Sequence, residues 1–174
     1  MLEAIQKARD VKLLVLDVDG VLTDGRLWYG NAGEELKAFH IQDGLGIKLL
    51  RRSGVDVAII TGRTSQLVAR RGAELGIERI VQGREDKLVA LRALAAELNI
   101  ELGEIAYAGD DLPDLGAIIA AGLGIAVANA MPCVAQHADY KTARGGGDGA
   151  VREICDLILH AQGKLEAVLE SYRQ

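Results

Sequence analysis

Four short runs, Val11–Leu16, Val55–Ile60, Ile105–Ala108 and Gly124–Ala128, are apolar almost without interruption. A half-exposed strand alternates apolar and polar residues, so continuous runs of this length mark strands covered on both faces, as in parallel sheets. A weaker run, Arg79–Gln82, adds a fifth candidate. Between the runs, apolar residues recur at helical spacing. Leu88, Leu91, Leu94, Ala95 and Leu98 do so within Asp86–Asn99, and Val151, Ile154, Leu157, Ile158 and Ala161 within Ala150–Gln162. Leu67, Val68, Gly72 and Leu75 mark a further helix, with Gly76 placed to end it. Strands and helices in alternation predict an α/β fold with a doubly wound, mostly parallel sheet.

One segment breaks the alternation. Arg26–His40 contains Trp28-Tyr29, a Gly30-Asn31-Ala32-Gly33 turn, then Leu36, Ala38 and Phe39, and reads as a β-hairpin projecting from the sheet, or else as an irregular loop. The whole chain, residues 1–174, reads as a single domain of sufficient length for one core. Aromatic residues are only 3% of it, so that core is expected from Leu, Ile, Val and Ala. The net charge of −5 disfavours nonspecific binding to nucleic acid. No apolar run approaches the ~20 residues that span a bilayer, and Met1–Arg9 lacks the apolar core of a signal peptide. Cys133 and Cys155 match no metal-ligand spacing and read as reduced thiols. A cytoplasmic protein is expected.

In an open α/β sheet, ligands sit outside the C-terminal ends of the strands. The first run ends in Asp17-Val18-Asp19-Gly20 and the second in Thr61-Gly62-Arg63. A helix starts near Lys87, and the run at Ile105–Ala108 ends in Gly109-Asp110-Asp111, with Asp114 three residues on. Separate elements thus bring carboxylates, a hydroxyl and an ammonium to one edge. Clustered carboxylates repel unless a cation neutralises them, and an all-oxygen donor set suits a hard ion such as Mg²⁺. A phosphoryl group adds negative charge, for which a lysine and a hydroxyl are useful holders. Two carboxylates beside one phosphate divide the work: one attacks phosphorus and the other handles the proton.

The run Asp17-Val18-Asp19-Gly20-Val21-Leu22-Thr23-Asp24 resembles the first motif of the haloacid dehalogenase (HAD) superfamily of phosphatases. Thr61, Lys87 and Gly109-Asp110-Asp111-Leu112-Pro113-Asp114 resemble its second, third and fourth motifs, in order. The resemblance implies a Rossmann-like sheet of HAD type and assigns roles. Asp17 attacks phosphorus and becomes an aspartyl phosphate, while Asp19 protonates the leaving alkoxide and then activates water. Thr61 and Lys87 hold the phosphoryl oxygens. Magnesium is bound by Asp17, the Asp19 backbone carbonyl and Asp110, with Asp111 or Asp114 in support. Asp114 has a plainer reading too, as an acid favoured in a helix's first turn.

Asp19–Thr61 leaves room for a hairpin, one helix and one strand, and Thr61–Lys87 for one helix and a short strand. Neither holds a cap domain, so the chain resembles the lidless branch. Phe39-His40-Ile41-Gln42-Asp43-Gly44-Leu45-Gly46-Ile47, Ile60-Thr61-Gly62-Arg63, Val81-Gln82-Gly83 and Gly145–Glu153 narrow the likeness to the phosphatases of 3-deoxy-D-manno-octulosonate 8-phosphate. That family implies a sugar-acid phosphate as substrate, a place in lipopolysaccharide biosynthesis, and a homotetramer with shared active sites. Gln42 stands where the family often has Arg, and Val81 where it often has Tyr. Relatives acting on 9-phosphorylated nine-carbon sialic-type acids share most motifs but tend to be acidic at position 63. Arg63 suits a sugar acid's carboxylate and favours the 8-phosphate reading.

Gly62, Arg63, Arg71 and Lys87 are the candidate substrate-binding residues. Arg71, two turns along a helix from Thr64, reads as a binding residue or a surface arginine. Arg144 reads as a residue reaching a neighbouring site or as a surface group. His40 reads as structural and Asp43 as a cap for the helix that follows it. Residues 144–174 read as a glycine-rich segment and helix; no Lys-Ser or Lys-Thr follows the glycines, so they are not a phosphate loop of that kind. The run is either a tail that enters a neighbour's site or a plain linker. A noncatalytic receiver module also joins an acidic pair, a hydroxyl and a lysine, but its phospho-acceptor ends a later strand, where this chain has Thr61 and Arg63.

Overall fold

The computed structural model describes residues 2–173. The apolar runs form strands β1 (Leu13–Leu16), β4 (Asp56–Ile60), β5 (Arg79–Val81), β6 (Ile105–Gly109) and β7 (Leu123–Ala126). Each starts or ends within two residues of the position expected from sequence. A short edge strand, β8 (Tyr140–Lys141), completes one six-stranded sheet of order β5-β4-β1-β6-β7-β8, with every pairing parallel. Two residues are too few for periodicity to reveal, which is why β8 is silent in the sequence.

Alternation along each central strand explains the unbroken apolar runs. Leu14 and Leu16 of β1, Val57 and Ile59 of β4, and Ala106 and Ala108 of β6 face one apolar cluster. Leu13 and Val15, Ala58 and Ile60, and Ile105 and Tyr107 face the other. Helices α1 (Leu2–Ala8), α2 (Ile41–Arg52) and α7 (Ala150–Ala161) cover the first face, joined by Val68 and Leu75 of α3 (Gln66–Leu75). Helices α4 (Lys87–Leu98), α5 (Leu112–Ala120) and α6 (Pro132–Ala135) cover the second. Gly76 ends α3 in the left-handed region, φ 73°, as its position predicts. A last short helix, α8 (Leu165–Glu170), follows α7.

The hairpin is real: β2 (Trp28–Tyr29) and β3 (Glu35–Leu36) pair antiparallel as a separate two-stranded sheet. Between β1 and β4 the described residues form only this hairpin and α2. The chain runs from β1 outward through β4 to β5, then returns to the other side of β1 for β6, β7 and β8. Strand order therefore reverses beside β1, where open α/β sheets open a crevice for ligands. Leu16 lies opposite both Ile59 and Ala108, so Asp17, Thr61 and Asp110 emerge at the same edge.

Asp43 does not cap its own helix. It sits inside the first turn of α2, whose N-cap is His40, and its buried carboxylate accepts from the Arg152 amide at 2.8 Å. The α7 N-terminus has Gly149 as its N-cap, with no side-chain cap, and the acid from α2 satisfies one of its amides instead. Burial raises the Asp43 carboxyl above its usual range.

Candidate active site

β1 ends one residue before Asp17, and a tight turn follows in which the amides of Val21, Leu22 and Thr23 all donate to the Val18 carbonyl. Gly20 makes that turn possible. Its φ is 98°, and a Cβ there would stand 2.1 Å from Asp110 Oδ2, so only glycine lets the two loops meet. The loop is pinned from the far side by Asn129, whose amide group donates to the Gly20 carbonyl at 3.0 Å and accepts from the Gly146 amide at 2.6 Å. The Gly147 amide donates to the Val21 carbonyl at 3.1 Å. The glycine run is thus not a plain linker: it is fastened to the Asp17 loop of its own chain. Arg144 stays exposed at the surface and donates to the Gln42 side chain at 3.1 Å.

Asp17, Thr61 and Lys87 are buried at the base of a cleft of about 320 Å³ that opens over the sheet edge. Lys87, the first residue of α4, lies 2.9 Å from Asp17 Oδ1 and donates to Asp114 Oδ1 at 2.7 Å. Asp114 is fully buried and accepts in addition from the Tyr107 hydroxyl at 2.7 Å and from the Asp110 and Asp111 amides at 3.1 and 3.3 Å. Asp111 is the N-cap of α5 and forms a reciprocal capping box with Asp114. The plainer sequence reading of Asp114, an acid in a helix's first turn, is what the capping box shows, and the same carboxylate also accepts from Lys87.

Asp19 stands half-buried at the cleft wall, ion-paired with Lys37 and 3.8 Å from Arg63. Arg63 and Gly62 line the cleft, and the Arg63 guanidinium also donates to the Tyr29 hydroxyl at 3.3 Å. Arg71 does not join them. Its guanidinium stacks on Phe39, 5.8 Å from the ring centroid, and pairs with Glu74, because the second turn of α3 points toward α2 rather than the cleft. Lys37, Tyr107, Asn129 and Glu85 contribute without having been singled out from the sequence. A lysine inside Leu36–Phe39 and a lone tyrosine inside the apolar run of β6 were the available signals for the first two. Asn129 gave none.

One carboxylate oxygen from each of Asp17, Asp110 and Asp114 lies within 4.8 Å of the others. Burial, reinforced by Asp114, lifts the Asp17 carboxyl to about 6 although Lys87 pulls it down. Burial, with Asp17 and Asp114, lifts Asp110 to about 7. Lys87 is shifted the other way: burial lowers it, but Asp17 and Asp114 together outweigh burial and raise it. Asp110 Oδ1 is buried with no hydrogen-bond donor. An orphaned oxygen, an all-oxygen donor set and more negative charge than one ammonium can neutralise fit a hard divalent cation.

Comparison with known proteins agrees with this chemistry. A family model described as haloacid dehalogenase-like hydrolase matches residues 68–154. The 3-deoxy-D-manno-octulosonate 8-phosphate phosphatase KdsC of Escherichia coli is 51% identical over 164 residues, 94% of this chain and 87% of that protein. The crystal structure of the corresponding phosphatase from Moraxella catarrhalis, in complex with magnesium, phosphate and a KDO molecule, superposes with a TM-score of 0.98 at 51% identity, covering 99% of each chain. The cobalt-bound phosphatase of Haemophilus influenzae superposes with a TM-score of 0.89 at 44% identity, over 92% of this chain and 94% of that one.

Proposed function

The chain belongs to the haloacid dehalogenase-like hydrolases, and we propose that within them it is a magnesium-dependent phosphatase that converts 3-deoxy-D-manno-octulosonate 8-phosphate to the free octulosonate and phosphate. The observation that carries the reading is the convergence of Asp17, Thr61, Lys87 and Asp110 on one cleft with Arg63 at its wall. Relatives named for this substrate match over nearly the whole chain.

Asp17 attacks phosphorus in line with the ester oxygen. The bond from phosphorus to the ester oxygen breaks as the Asp17 acyl phosphate forms, and Asp19 gives its proton to the departing alkoxide. Asp19 then takes a proton from water, the water oxygen attacks phosphorus, and Asp17 leaves as a carboxylate together with inorganic phosphate. Lys87 and Thr61 hold the phosphoryl oxygens, and Asp114 keeps Lys87 in place from behind. The Asp17 and Asp110 carboxylates and the Asp19 carbonyl would hold magnesium, which would offset the repulsion between the phosphate and these acids. Asp111, capping α5, keeps the Asp110 loop in register.

Arg63 supplies a cation for the sugar acid's carboxylate. Gly62 leaves that side of the cleft free of a side chain. Arg71 packs on Phe39 outside the cleft and is left out of the substrate set. Assembly as a homotetramer with shared sites fits the exposed Leu27, Trp28, Tyr29 and Leu36 of the hairpin and the open cleft beside them. A cytoplasmic setting for a step of lipopolysaccharide synthesis fits two free thiols, and no described helix is long and apolar enough to cross a membrane.

Phosphate release compared across a substrate panel tests the reading. We expect kcat/KM on the octulosonate 8-phosphate to exceed that on a nine-carbon 9-phosphorylated sialic-type acid and on simple phosphomonoesters. A preference for the nine-carbon acid moves the assignment to that class. Poor turnover of both acids beside good turnover of an unrelated phosphoester overturns it.

A further inference from the structure

Lys37 follows β3 at the root of the hairpin, yet its side chain is only 1% exposed. Burying an ammonium costs several kcal/mol unless carboxylates compensate it. Two do: Glu35 at 3.3 Å, from the same hairpin, and Asp19, from the loop after β1. A hairpin needs no buried lysine to close, and anchoring it to the sheet needs only apolar contact. The ammonium is instead committed to Asp19 Oδ1, while Oδ2 of the same carboxylate lies on the Arg63 side, 3.8 Å from its Nε. Asp19 lines the cleft and Lys37 does not. Whatever Lys37 does for the reaction it therefore does through Asp19.

We propose that Lys37 is the positioning residue for the acid–base carboxylate: by occupying Oδ1 of Asp19 it fixes the side-chain rotamer and leaves Oδ2 turned to the ester oxygen. The logic is that of any orienting partner behind an acid or base, whose loss leaves the group present but mis-aimed. Oδ2 carries the proton to the leaving oxygen, and after the sugar departs it accepts one from water. The hairpin is thereby more than a surface element, since its root sets the geometry of proton transfer in its own chain. This inference rests on the phosphatase reading and on Asp19 as the acid.

The test compares Lys37→Met with wild type on two esters through kcat/KM, which reports steps up to departure of the first leaving group. An alkyl phosphate needs a proton on its leaving oxygen, whereas p-nitrophenyl phosphate departs as a stable phenolate. General acid catalysis is worth about 10²–10⁴-fold, so a mis-aimed Asp19 is expected to cost at least about 30-fold on the alkyl ester and under about 3-fold on the aryl ester. On an Asp19→Asn background the lysine substitution is expected to add nothing further. Lys37→Arg, which keeps the charge and donors, is expected to restore the wild-type ratio between the esters. An equal loss on both esters, or an additive loss on the Asp19→Asn background, means a merely structural lysine and overturns the proposal. A rise in KM confined to the sugar acid means substrate binding and also overturns it. Failure of the underlying reading shows separately, as aryl phosphatase activity that survives Asp17→Asn.

Discussion

Asp114 accepts from Lys87, from the Tyr107 hydroxyl and from two backbone amides, so a single buried carboxylate ties α4, β6 and the loop bearing Asp110 together. Removing the Tyr107 hydroxyl leaves Asp114 with its other donors but one charged hydrogen bond fewer, which costs about 1.5–3 kcal/mol when the acceptor is ionised. Tyr107→Phe is therefore expected to lower the stability read from denaturant unfolding by that amount while kcat falls less than tenfold. Asp17→Asn keeps the shape of the side chain but removes the attacking oxygen's charge, so turnover is expected to fall by at least about 10³-fold with unfolding unchanged. The acids of the cleft were legible because they follow strand ends, where the fold must present them. Arg71 was not, because spacing on a helix gives an angle about its axis but not the direction in which the helix faces its neighbours.

Among the elements, the loop after β1 depends on two approaches that only glycine permits. Gly20 meets Asp110, and Gly146 would place a Cβ 1.8 Å from the Gly20 carbonyl oxygen. Gly20→Ala puts a Cβ into the Asp110 carboxylate at a φ that L residues rarely adopt. We expect magnesium affinity, followed by calorimetric titration, to fall at least tenfold, because the carboxylate that must move is a proposed ligand. The core strands could be read from the sequence because both faces of the sheet are covered, so the apolar runs are unbroken. The glycine run resisted reading for the opposite reason. Its fixing depends on Asn129 and on the Val21 carbonyl, partners distant in sequence that no local pattern announces.

For the molecule as a whole, the raised carboxyls make stability depend on pH and metal. Asp17 and Asp110 ionise at about 6 and about 7 in the folded chain, against 3.8 for an ordinary aspartate. The folded state holds protons that the unfolded chain has lost, so the contribution of these groups to stability falls as pH rises from 3.8 through 7 and is then constant. A cation that binds the ionised carboxylates restores what is lost. Magnesium is thus expected to raise Tm more at about pH 8 than at about pH 5.5, with proton release on binding between them. An equal rise at both would contradict the assignment of the shifted acids to the metal. If the hairpin mediates assembly, changing Trp28 and Leu36 together to Ser is expected to lower the mass seen in sedimentation without unfolding the chain.

The most direct test of the central claim, that Asp17 carries the phosphoryl group, is the mass of the peptide containing it after acid quenching during turnover of the octulosonate 8-phosphate with magnesium. A phosphate adduct on Asp17, present in the wild-type chain and absent from Asp17→Asn, is the result this account predicts. Rapid phosphate release with no adduct at any quench time, or an adduct on another residue, would contradict it.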